Sequence, residues 1–110
     1  MLEVIQWLFA KVNVFPKKQR FVLGQQIENS SLKCLRFIVE ANSTRKTDDV
    51  LMKLELLNIE LEVLRDLLRV AYEMEFIKAS SLQYIIVQID EVGKMRGGWS
   101  KRYSLLKSDS

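Results

Sequence analysis

Apolar residues recur every three or four positions in the middle of the chain, between Val50 and Met74. This spacing keeps them on one side of an α-helix, where they face a partner. The stripe consists of Val50, Leu54, Leu57, Leu61, Leu64, Leu68 and Ala71. Because the segment contains no Gly or Pro, it predicts an uninterrupted helix of roughly 40 Å at 1.5 Å per residue, which requires other helices as partners.

The same spacing predicts three further helices. The four predicted helices run from Leu2 to Val12, from Lys17 to about Asn42, from Thr47 or Asp48 to about Glu75, and from Ser80 to Arg96. Pro16 ends the first helix and opens the second, because proline is tolerated in a first turn but not in a helix interior. Thr47 or Asp48 is expected to cap the third helix, and Gly97 and Gly98 are expected to stop the fourth.

Small residues occupy much of the inner stripe of the second predicted helix. This stripe consists of Gly24, Ile27, Ser31, Cys34, Ile38 and Ala41. A glycine inside a helix costs about 1 kcal/mol relative to alanine unless its missing side chain lets a neighbour approach closely. We therefore interpret Gly24 as a point of close packing.

Composition narrows the fold class. The 110 residues are 48% hydrophobic and 28% charged, with only 4 Gly and 1 Pro, which leaves little material for sheet turns or linkers. We predict an all-α, antiparallel up-down-up-down four-helix bundle over residues 1–103, followed by a mobile basic tail at residues 104–110. No apolar run approaches a membrane span and no secretory leader is recognisable, so a cytoplasmic protein without a membrane partner is expected.

A second apolar line follows the long central helix, offset from the first. It consists of Leu56, Ile59, Val63, Leu67, Val70 and Met74. One bundle cannot easily bury both lines, so the second line predicts a homo-oligomer in which it contacts another subunit. The alternative is that the first helix and the C-terminal tail cover this line within a monomer.

Basic residues are concentrated towards both ends of the chain. Residues 1–20 carry a net charge of +3 and residues 94–110 of +4, within a total of +3. The topology is expected to gather Lys11, Lys17, Lys18, Arg20, Arg65, Arg69 and Lys78 at one pole, and Arg45, Lys46, Lys94, Arg96, Lys101 and Arg102 at the other. Such patches suit an anionic partner such as nucleic acid, although solvated basic ends are also common in small proteins.

Residues for catalysis are scarce. The chain has no histidine, which removes the usual general base and metal ligand, and its single cysteine, Cys34, has no partner for a disulfide or zinc site. Gly97 and Gly98 follow a helix, whereas a phosphate-binding glycine loop precedes one. We expect no enzyme activity, no metal and no cofactor.

Two arginines of the central helix share a face. Arg65 and Arg69 are four residues apart, with Glu62 and Asp66 near enough to form ion pairs with them. Surface ion pairing is one interpretation of this cluster. The other is a docking site for a partner protein or a phosphate backbone, because the guanidinium fork binds planar anions well.

Three motifs give the chain a family resemblance. In order, these are FPKKQRFVLG at residues 15–24, LRDLLRVA at residues 64–71 and EVGKMRGGW at residues 91–99. Together they resemble the accessory variability determinant (Avd) proteins of diversity-generating retroelements. They also resemble the related four-helix proteins encoded in intervening sequences of bacterial large-subunit ribosomal RNA. The resemblance covers roughly residues 2 to 101.

The resemblance implies a fold, partners and site residues. It implies a four-helix bundle that assembles into a pentameric, basic barrel without catalytic activity and partners a reverse transcriptase and its template RNA during copying into cDNA. The residues that we expect to bind nucleic acid are Lys17, Lys18, Arg20, Lys94, Arg96, Lys101 and Arg102. The last two lie outside the motifs and are included because they are expected at the same pole as Lys94 and Arg96. Arg65 and Arg69 are expected to bind the partner protein. The intervening-sequence relatives imply instead a helical structural or adaptor module.

Overall fold

The structure, a computed structural model, describes residues 1–109, and they form helices joined by short turns. The elements are α1 (Leu2–Asn13), α2 (Lys17–Gln19), a π-helical turn (Arg20–Gly24), α3 (Gln25–Ser43), α4 (Thr47–Glu73) and α5 (Ala79–Asp109). Because α2, the π-helical turn and α3 follow one another without a break, they form a single arm of the bundle. The four predicted helices and the all-α fold class are thus confirmed, and no strand occurs between residues 1 and 109.

The helices pack in the order of the chain. The main contacts join α1 to α3, α3 to α4 and α4 to α5, with a smaller contact that closes α1 against α5. The turns after α1 and α4 lie at what we call the upper end, and the turn between α3 and α4 lies at the lower end. The resulting body measures 52 × 23 × 19 Å, as expected of a four-helix bundle.

The inner stripe of α4 forms the centre of the core. All seven of its predicted residues are buried, and Leu54, Leu61 and Leu64 expose no measurable surface. Leu8 of α1, Ile27 of α3 and Ile85 of α5 meet this stripe from the other helices and are equally buried. Removal of this apolar surface from water is the main stabilising contribution, as in most small bundles.

The predicted cap of α4 is wrong by one or two residues. Lys46 occupies the N-cap position in an extended conformation, and no side chain there accepts a hydrogen bond from a free backbone amide. Thr47 therefore lies inside the helix. Asp48 and Asp49 nevertheless lie in the first turn, where their negative charge opposes the positive end of the helix dipole.

The predicted stop at Gly97 and Gly98 is also wrong. Helix α5 passes through both glycines and spans 31 residues, from Ala79 to Asp109. Neither glycine adopts a positive φ. Beyond them Trp99 and Tyr103 pack against the core, which offsets the cost of about 1 kcal/mol for each glycine in a helix. Within the predicted tail, residues 104–109 are helical, and Ser110 lies outside the described residues.

Helix α4 ends in a hydrogen-bonded turn built around Glu75. Its φ of 65° is the left-handed conformation that usually requires glycine. The amide of Phe76 donates to the carbonyl of Ala71 at 2.8 Å, and the amide of Glu75 donates to that of Tyr72 at 2.9 Å. These two bonds satisfy carbonyls that the end of the helix leaves free, and they turn the chain towards α5.

Gly24 is a point of close packing, as predicted. A Cβ atom at this position would lie 2.5 Å from Val12 Cγ1 of α1 and 3.3 Å from the carbonyl oxygen of Gln19. The glycine closes the π-helical turn, which the sequence did not predict. Its missing side chain lets α1 pack directly against the second arm.

We predict that Gly24→Ala lowers the free energy of unfolding by about 1–3 kcal/mol, because the new methyl group overlaps Val12. Gly97→Ala is the matched control. It meets no atom within 4 Å and should raise stability by up to about 1 kcal/mol through helix propensity. Urea unfolding at one fixed protein concentration measures both, and equal effects of the two substitutions would contradict the close packing at Gly24.

Candidate interaction surfaces

The second apolar line of α4 lies on the side of the helix opposite to the core. Leu56, Ile59, Val63 and Val70 are 36–53% exposed, and only Leu67 is half-buried. Helix α1 packs mainly against α3, and the tail continues α5, so neither covers this line. The monomeric alternative is therefore wrong for the described chain. We call Leu56, Ile59, Val63, Leu67 and Val70 the outer face of α4.

Arg65 joins α4 to α5. Its Nε donates to Asp90 Oδ1 at 2.9 Å and its Nη1 to Glu62 Oε2 at 3.1 Å, while its side chain is only 16% exposed. The guanidinium passes so close to Gly93 that a Cβ there would lie 3.1 Å from Nη2. The second and third motifs of the sequence therefore meet in space, and Arg65 is largely enclosed within its own subunit.

Arg69, one turn further along α4, remains accessible. Its side chain is 51% exposed, and its Nη1 lies 2.7 Å from Asp66 Oδ1 and 3.6 Å from Glu62 Oε1. The ion pairs expected for both arginines are thus confirmed. Docking of a partner stays a prediction, and Arg69 offers the only exposed guanidinium of the two.

The basic residues of the first motif lie at the upper end. Lys17 and Lys18 are exposed at the start of the second arm. Arg20 is half-buried, and its Nε is enclosed without a hydrogen-bond partner. Next to it Phe21 and Val22 are 69% and 64% exposed, so this end combines positive charge with apolar surface.

The basic residues of the third motif do not lie at the opposite pole, which corrects the expected placement. Because α5 runs on to Asp109, Lys94 and Arg96 occupy its middle, while Lys101 and Arg102 are exposed further down. Lys94 pairs with Glu91 at 3.3 Å, and the half-buried Arg96 has an enclosed Nε without a partner. The seven predicted nucleic-acid residues therefore lie in two separate regions of the surface, three at the upper end and four along α5, where Lys94 and Arg96 point to different sides of the helix.

Cys34 is part of the packing between α3 and its neighbours. Burial, reinforced by the charge of Glu60, raises the pKa of its thiol to about 12. The thiol is therefore protonated at neutral pH, where it is a poor nucleophile. Nearby, the buried Ser30 hydroxyl donates to Glu60 Oε2 at 2.7 Å, so this polar cluster is internally satisfied.

An aromatic pair at the seam between α1 and α5 was not predicted. The ring centres of Trp7 and Tyr84 lie 5.6 Å apart with an interplanar angle of 37°, and Lys11 Nζ lies 5.4 Å from the Trp7 ring centre. Sequence reasoning missed Tyr84, because it does not share the spacing of the buried α5 residues Ile85 and Ile89. The available signal in the sequence was that Tyr84, an aromatic residue, directly precedes the buried Ile85.

The chain is thus a small four-helix protein that exposes both apolar and basic residues on its surface. A family model described as bAvd-like matches residues 1–103, which is nearly the whole chain. The protein is therefore a member of the bAvd-like family, and the resemblance to Avd proteins is confirmed. A comparison with curated proteins found no match. Within residues 1–109, no helix is long and apolar enough to cross a membrane.

We predict that Arg65→Ala lowers the free energy of unfolding by about 1–2 kcal/mol, because it leaves Asp90 and Glu62 without the guanidinium that joins α4 to α5. Arg69→Ala should change it by less than about 0.5 kcal/mol, since both of its partners are exposed. Urea unfolding compares the two variants. Equal destabilisation would contradict the distinct roles of the two arginines.

Proposed function

We propose that this protein is a non-enzymatic accessory protein of a diversity-generating retroelement. In this role it binds the reverse transcriptase and the template RNA or its cDNA in the cytoplasm and supports mutagenic reverse transcription. Membership of the bAvd-like family is the observation that carries the proposal. The exposed apolar and basic surfaces support it, because they suit binding to other macromolecules.

Self-assembly is the first part of the proposed function. The outer face of α4 is a continuous apolar line on a rigid helix, and such a line is costly to leave in water. If it packs against a different surface of the next copy, the contact is head-to-tail and repeats until it closes into a ring. A homopentamer is the ring that the family resemblance implies.

Binding of RNA or cDNA is the second part. Lys17, Lys18, Lys101 and Arg102 are exposed and can approach phosphates, whereas Arg20 and Arg96 are half-buried and offer them less of their side chains. Each phosphate contact releases counterions, so the affinity depends on salt and little on sequence. Repetition of the two surfaces around a ring multiplies these contacts.

Binding of the reverse transcriptase is the third part. We assign it to the region of α4 around Arg69, because this guanidinium is exposed while Arg65 is enclosed beside Gly93. Arg65 then acts as a positioning residue that fixes α5 next to the docking region. Asp66 binds Nη1 of Arg69, and the guanidinium has further N–H donors with which it could contact a carboxylate of the partner.

Ion pairing favours a second candidate function. Six of the basic side chains, namely Arg36, Lys53, Arg65, Arg69, Lys94 and Lys107, already pair with carboxylates of their own chain. This pairing lowers the charge that remains for nucleic acid. The alternative is a helical adaptor of the kind found in ribosomal RNA intervening sequences, which assembles in the same way without a specific role in nucleic-acid binding.

We predict that the wild-type protein sediments as an oligomer and that Ile59→Glu with Val63→Glu converts it to the 12.9 kDa monomer, because buried unpaired carboxylates oppose the apolar contact. Met95→Glu, at an apolar position of α5 that is 75% exposed, is the matched control and should leave the oligomer intact. A monomeric wild type in sedimentation velocity would contradict the proposed assembly.

We predict that RNA binding weakens between about 50 and 200 mM salt and that Lys17→Ala with Lys18→Ala lowers the slope of log K against log salt by about 1.4 per subunit in contact. Lys33→Ala, exposed on α3 outside both basic surfaces, should leave the slope unchanged. Fluorescence anisotropy with a labelled RNA measures each slope. An intact oligomer that binds no RNA would favour the adaptor function instead.

A further inference from the structure

Helices α1 and α5 meet only loosely at the seam that closes the bundle. Helix α1 packs mainly against α3 and makes only a small contact with α5. Two surface cavities of about 180 and 190 Å³ lie in this seam, and a third of about 420 Å³ lies beside it on α5; Tyr84 lines all three. The tyrosine is 51% exposed, so its ring is only partly engaged by Trp7.

The two rings form an apolar surface within this seam. Trp7 is half-buried and fixed by its neighbours, while Tyr84 leans against it at 37°. Exposed aromatic side chains on rigid helices lose little conformational freedom when a ligand packs on them. The ligand that matches such a surface is a planar ring.

The charges around the rings favour an anionic ligand. Lys11 lies over Trp7, and no carboxylate is among the residues that line the cavity of about 190 Å³ beside it, which are Trp7, Lys11, Ser80, Ser81 and Tyr84. Among the described residues, Glu3 is the one carboxylate that lines these cavities; it lies one turn before Trp7 on α1, on the side away from Lys11. The other polar lining residues, which are Ser80, Ser81, Gln83 and Gln88, are neutral. A ligand that combines a planar ring with a negative charge would match both the aromatic rings and the positive charge of Lys11.

We propose that Trp7 and Tyr84 form a stacking platform for the bases of single-stranded nucleic acid, with Lys11 as a contact to an adjoining phosphate. The inference rests on the proposed nucleic-acid function and adds a contact to bases. Stacking selects unpaired strands, because the faces of bases inside a duplex are already covered by their neighbours. Stacking is also tolerant of sequence, because every base has a π-face.

The direct test separates bases from phosphates. Binding of labelled U12 and dT12 is compared with that of an abasic 12-mer that carries the same phosphates. We expect the wild type to prefer U12 or dT12 over the abasic strand between about 5-fold and about 150-fold for each stacked base. Tyr84→Leu keeps an apolar cover on Trp7 but should lose this preference, whereas Tyr84→Phe should retain it.

A second readout keeps the test valid if Tyr84→Leu is unstable. In Trp99→Phe the only remaining tryptophan is Trp7, so its fluorescence reports on the platform alone. We expect U12 to quench it and the abasic strand to leave it unchanged. Quenching by dT12 as well would mean that the platform accepts both kinds of strand, while quenching by U12 alone would assign it to RNA.

The outcomes distinguish failure of the stacking platform from failure of the proposed nucleic-acid function. If the wild type binds none of the three strands, the proposed nucleic-acid function fails, and the platform fails with it. If the wild type binds all three equally, or if folded Tyr84→Leu keeps the preference for bases, phosphate binding stands and only the stacking platform is overturned.

Discussion

Apolar side chains occupy two opposite sides of α4, and a four-helix bundle can bury only one of them. The inner stripe is buried completely, from Val50 to Ala71, and fixes the positions of α3 and α5. The outer face remains in water although Ile59 and Val63 are as apolar as the core. This constraint leaves α4 with an apolar face in the core and a second apolar face on the surface, which is the basis of the proposed self-assembly.

The arrangement of arginines follows from the same helix. Arg65 lies between the inner and outer sides of α4, where Gly93 leaves room for its guanidinium and Asp90 binds it. Two of the three motifs that carry the family resemblance therefore describe one contact between α4 and α5. Arg69 lies one turn further and stays accessible. Within one motif, Arg65 therefore joins two helices, whereas Arg69 belongs to the surface.

Periodicity was sufficient to predict the helices, because burial of the α4 stripe and of Ile85 and Ile89 in α5 follows their spacing. It failed where contacts distant in sequence decide the outcome. Local propensity predicts that α5 ends at Gly97 and Gly98, but packing of Trp99 against the core stabilises the helix beyond them. The Trp7–Tyr84 pair was hidden for the same reason, since it forms only when α1 and α5 meet. The enclosure of Arg65 likewise depends on Gly93, which belongs to another helix.

The central claim is that the outer face of α4 contacts a second copy of the chain. Replacement of Ile59 by a photo-crosslinking benzoylphenylalanine tests it directly, because the new side chain reacts only with what lies against that face. Illumination should join copies covalently and give a species of twice the 12.9 kDa subunit mass, with the crosslink at a surface other than α4 itself. Recovery of the uncrosslinked subunit alone, from protein that is fully folded, would contradict the account.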